Sequence, residues 1–70
     1  MTSLTGKALC KLVERHGWRL VRINGSHHIY MKEESTVRLS IPVHGNHSLK
    51  IGLMQYLLKQ AGIDESNARG

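Results

Sequence analysis

Five histidines occur in 70 residues, and four of them fall in two close pairs, His27-His28 and His44/His47. Imidazole is the side chain whose ordinary titration lies near neutral pH, so the surplus points first to proton transfer or metal ligation. Metal is the weaker reading, because the loop pair has no carboxylate or thiolate within a few residues and no usual zinc spacing is present. The single Cys10 excludes an internal disulfide and any four-thiolate zinc or iron–sulfur site, and reads as a small half-buried helix residue. No metal and no cofactor are therefore expected. Ser26 beside His27 does not form a hydrolase elbow, no carboxylate is placed to orient a histidine in a triad, and the Gly45 loop lacks the phosphate-binding P-loop pattern.

The elements that must position these side chains follow from periodicity. Leu4, Ala8, Leu9, Leu12 and Val13 recur at helical spacing, with Thr5 placed to cap, Leu4 and Leu9 as a hydrophobic staple and Gly17 as the stop, so a helix is expected over residues 5–16. Lys7, Lys11, Glu14 and Arg15 fall on its watery side. The period then changes to two over residues 18–23, and Asn24-Gly25 signals a hairpin. Residues 28–32 and 36–41 alternate again, completing a three-stranded antiparallel meander before Pro42. A loop over 42–48 leads to a second helix in which Ile51, Met54, Leu57, Leu58 and Ala61 line one face, Gly62 ends it and Ile63 folds back. The expected fold is α+β: an α-β-β-β-α two-layer sandwich with both helices on one face of the sheet, the element order of double-stranded-RNA-binding modules. One domain over residues 1–63 and a frayed tail over 64–70 account for the chain.

Strand parity assigns the histidines. His27 shares parity with the apolar Ile29 and Met31 and is expected in the core; His28 shares parity with Tyr30 and Lys32 and is expected to face water. In the third strand Val37, Leu39 and Ile41 read as inward and Arg38 as outward, on the face of His28. The first strand admits two phases: Arg22 is outward if Val21 and Ile23 are buried, Arg19 if Trp18 and Leu20 are.

The net charge is +5, and residues 1–63 hold nine basic against three acidic groups, or +6. A domain this basic favours an anionic partner, nucleic acid first. A histidine among cations suits a phosphodiester, and RNA carries its own nucleophile in the 2′-hydroxyl, so a general base with nearby Lys or Arg suffices without a metal. Tyr30, expected beside His28, is a candidate surface for base stacking. No apolar run exceeds three residues, which leaves no stretch for a membrane span or secretory leader, and the cytoplasm is the expected compartment.

Gly17-Trp18, Val21-Arg22, Gly25-Ser26-His27-His28-Ile29-Tyr30, Ile41-Pro42-Val43-His44 and Leu58-Lys59-Gln60-Ala61-Gly62-Ile63 together resemble the HicA family of bacterial toxins, in order and in spacing, over roughly residues 5–63. The resemblance implies a double-stranded-RNA-binding-like fold and an mRNA interferase that cleaves mRNA and arrests translation under stress. It places the functional histidine at His28, the last position of the Gly-Ser-X-His segment, and implies a HicB-type antitoxin as partner. The chain departs from many relatives at Ile51-Gly52-Leu53, where Pro-Gly-Thr is common, and in the preceding loop. The expected site is catalytic His28, with Arg22, Ser26, Tyr30, Lys32, Arg38 and Lys50 as RNA contacts. The alternative is a non-catalytic RNA-binding or protein-interaction module using the same basic sheet face.

Overall fold

The computed structural model describes residues 3–64. Helix α1 spans Gly6–Arg15. Thr5 precedes it with extended backbone, and its hydroxyl accepts a hydrogen bond from the Ala8 amide at 3.1 Å, satisfying one of the open donors of the first turn. Gly6, Leu9, Cys10 and Val13 form its buried stripe. Gly17, at φ +91°, turns the chain into the sheet. Helix α2 spans Ile51–Ala61 and ends at Gly62 in the left-handed region, where the Ile63 amide donates to the Leu58 carbonyl at 2.9 Å and Ile63 is buried. Ile51, expected on the inner stripe, is exposed; Met54, Leu57, Leu58 and Ala61 carry that face alone.

Strands β1 (Trp18–Asn24), β2 (His27–Lys32) and β3 (Arg38–Pro42) form one antiparallel sheet in the order β1-β2-β3. Strand β3 thus begins later than the alternating run from Thr36 suggests, because Ser35 caps the preceding turn by accepting from the Val37 amide. The β1–β2 hairpin closes on Gly25-Ser26, with Asn24 and His27 already paired and Gly25 at φ +62°, the residue type favoured at the first loop position of a type II′ turn. Buried Leu9, Val13, Trp18, Tyr30, Leu39, Ile41, Met54, Leu57 and Leu58 make a single core, so both helices lie on the same face of the sheet, giving the α-β-β-β-α arrangement. Two long-range ties fasten the ends of this layer. The Trp18 indole donates to the Ala61 carbonyl, and the Leu49 amide donates to the Leu4 carbonyl.

Register shows which side each strand residue takes, because residues directly opposite share a face. Tyr30 opposes Leu20 and Leu39, and it is 1% exposed. Its parity, not that of Ile29 and Met31, is therefore the inner one, which reverses the assignment of His27 and His28. His27 is exposed and opposes Asn24 and Pro42 on the outer face; His28 is half-buried and opposes Ile23 and Ile41 on the helix side. The cause lies in one polar atom: the Tyr30 hydroxyl donates to Glu14 Oε2 of α1, so its large ring is buried with its hydroxyl satisfied. Ile29 and Met31 are left half-buried outside.

Strand β1 obeys neither simple phase. Its register slips between Leu20 and Arg22, so Val21 is an extra residue. Arg19, opposite Met31, and Arg22, opposite Ile29, consequently share the outer face with Arg38, which also opposes Met31. The tail expected over 64–70 lies, apart from Asp64, outside the described residues. No helix among the described residues is long and apolar enough to cross a membrane.

Candidate active-site cleft

A cleft of about 230 Å³ opens between α1 and the sheet, and His28 stands in its wall. Helix α1 supplies Lys7, Cys10, Lys11 and Glu14, residues three and four apart that fall on one side of the helix. The sheet supplies Leu20, His28 and Tyr30, and Val43 closes one end just beyond β3. The half-buried imidazole therefore shares its cleft with two exposed lysines.

Backbone contacts fix this arrangement. The Val43 amide donates to the Ser26 carbonyl at 2.8 Å, tying the hairpin turn that leads into His28 to the exit of β3. Helix α1 begins against the same place. A Cβ on Gly6 would stand 2.0 Å from the Pro42 carbonyl oxygen, so only glycine permits the approach that brings the next residue, Lys7, over the cleft.

Tyr30 and Cys10 form the unreactive wall. Burial, reinforced by the hydrogen bond to Glu14, pushes the Tyr30 phenol far above its ordinary value, so it remains a protonated donor. Burial also raises the Cys10 thiol, which is the opposite of what a nucleophilic cysteine needs. The Glu14 carboxylate accepts from Tyr30, leaving the lysines as the cationic side of the cleft.

Of the expected site residues, the fold brings only His28 and Tyr30 together. Tyr30 is not available for stacking on a base, because its ring belongs to the core. Arg22 and Arg38 lie on the outer sheet face, across the sheet from His28, a correction to the single basic face inferred from alternation. Lys32 opposes Trp18 at the far end of β2, and its Cε lies 3.6 Å from the position of a Cβ on Gly17. Ser26 is half-buried in the turn, and Lys50 is the exposed N-cap residue just before α2, with no side-chain capping bond. Lys7 and Lys11, expected only as water-facing residues of α1, are the cations that line the cleft beside His28. Their i, i+4 spacing was visible, but which sheet residue they overhang depends on how α1 is docked. No group of three or more His, Cys, Asp or Glu able to hold a metal ion occurs among the described residues.

Residues 6–63 match the family model described as HicA toxin of bacterial toxin-antitoxin. No curated protein matches the chain at a significant level.

Proposed function

The chain belongs to the HicA toxin family, and from that premise we propose that it is an mRNA interferase whose proton-transfer group is His28. The observation that carries the reading is the cleft itself: a half-buried imidazole and the two lysines of α1 line one small groove. A strand of RNA seated there has its phosphate held by Lys7 and Lys11 while His28 takes the proton of the 2′-hydroxyl. The 2′-oxygen attacks the adjacent phosphorus, the P–O5′ bond breaks, and the 5′-oxygen receives a proton. The products are a 2′,3′-cyclic phosphate and a 5′-hydroxyl, with no metal required.

Neither His27 nor Tyr30 is placed to protonate the 5′-oxygen. His27 lies on the other face of the sheet, and the Tyr30 hydroxyl is buried and already donates to Glu14. The remaining donors are the cleft lysines, water, or the imidazolium formed in the first step. Cleavage in the cytoplasm arrests translation, and a HicB-type antitoxin is the proposed neutralising partner.

Incubation of purified protein with single-stranded RNA and a chelator tests the reading. Fragments ending in cyclic phosphate are expected from the parent chain. His28→Ala is expected to lower the cleavage rate by about 10²-fold or more, the scale of a lost general base. His27→Ala, at an exposed position outside the cleft, is expected to cut normally. A salt-sensitive mobility shift without fragments indicates a binding module instead, and undiminished cleavage by His28→Ala overturns the assignment.

A further inference from the structure

The outer face of the sheet is a second charged surface that the cleft does not use. Its nine outward positions fall in three rows across the strands, and Arg19, Arg22 and Arg38 occupy three of them, around Met31 and Ile29. None of the nine is a carboxylate, and all three cations are arginine. The guanidinium fork matches phosphate oxygens in pairs and is weakly hydrated, which suits it to a row of phosphates. Arg19 and Arg38 flank Met31 on the two neighbouring strands, about 10 Å apart by strand spacing. Arg22 lies one row further along β1.

We infer that this face is an RNA-backbone exosite: it takes the phosphates of a single strand whose scissile segment lies in the His28 cleft. The two sites meet at β1. That strand is an edge of the sheet, and every residue from Arg19 to Asn24 is exposed. Leu20 lines the cleft while its neighbour Arg19 lies on the outer face, so a strand leaving the cleft passes round one β-strand to reach the arginines.

Two observations favour RNA over an acidic protein. The face carries three arginines and no carboxylate, and phosphate contacts contribute affinity singly, so separated guanidinium groups suffice where a protein partner needs a broad, well-packed patch. Extension of the interface by strand addition is opposed by the irregularity at Val21 and its flanking arginines, the devices that blunt sheet edges.

The inference rests on the RNA reading above for its choice of polyanion, and its test is independent of cleavage. Binding of the full chain to a long, unstructured 2′-O-methyl RNA, which has no free 2′-hydroxyl to attack, is followed by fluorescence anisotropy over a salt series. Each neutralised phosphate contributes about 0.7 to the slope of log Kobs against log salt for a single strand. Combined Arg19→Gln, Arg22→Gln and Arg38→Gln is therefore expected to make that slope shallower by about 2. Each single replacement removes about 0.7, which keeps the test valid if the triple variant folds poorly. Replacement of all three by lysine is expected to restore the slope. A parental slope in a folded triple variant overturns the exosite, as does loss of antitoxin binding with the RNA slope unchanged, which makes the face a protein interface. If the parent chain cuts no RNA yet its slope depends on these arginines, the nuclease reading falls and the face stands as an RNA-backbone binding site.

Discussion

Lys7 and Lys11 set the charge of the cleft that His28 lines, and the two stand one helical turn apart on the same side of α1. Both are exposed, so each contributes a screened attraction to phosphate that falls as salt rises. Lys7→Ala and Lys11→Ala are each expected to lower kcat/KM for RNA by about 10-fold, equivalent to about 1.4 kcal/mol of transition-state stabilisation. Initial rates at low salt measure the loss, and rates indistinguishable from the parent's would remove the lysines from the mechanism. These residues also show where the site was legible and where it was not. His28 stands out by composition and by its place after Gly25-Ser26, but its neighbours in the cleft do not, because the alternation of β2 fits Ile29 and Met31 as the inward residues as well as it fits Tyr30. The ring of Tyr30 is at home in the core only because Glu14, sixteen residues earlier and on another element, accepts its hydroxyl. No local pattern contains that contact.

At the scale of elements, the start and end signals were readable because each is a local bond or a local backbone requirement. The Thr5 cap and the glycine stops at Gly17 and Gly62 act within a few residues of themselves. The slip at Val21 is of another kind. It exists only relative to β2, and it puts Arg19 and Arg22 on one face although their separation in sequence has odd parity. Gly6 has the same character: it reads as an ordinary first-turn residue until α1 is seen against the Pro42 carbonyl. Gly6→Ala is expected to push the helix start off β3 and destabilise the fold by about 1–3 kcal/mol, the usual cost of overpacking. Because Lys7 follows directly, cleavage should fall further than the unfolded fraction accounts for. Urea unfolding read alongside activity measures both quantities. An alanine variant with parental stability would show that α1 can settle elsewhere without cost.

For the molecule as a whole, the buried pair Cys10 and Tyr30 links folding to pH on the alkaline side. Both groups are raised by burial from ordinary values of 9.0 for the thiol and 10.0 for the phenol. A group with a raised value in the folded state keeps its proton there after the unfolded chain has lost it. Its contribution is complete below the ordinary value and is lost as pH climbs toward the folded one. Stability should therefore be insensitive to these two groups below about pH 9, begin to fall as the unfolded thiol ionises, and fall more steeply past about pH 10. Each group that ionises only in the unfolded chain contributes a slope of about 1.4 kcal/mol per pH unit. Tyr30→Phe removes the phenol and its bond to Glu14, so the variant starts lower at neutral pH yet loses less above pH 10. Cys10→Ala removes the earlier part of the decline in the same way. Urea midpoints from pH 7 to 11 distinguish these curves, and an alkaline slope in Tyr30→Phe equal to the parent's would show that the phenol ionises alike in both states.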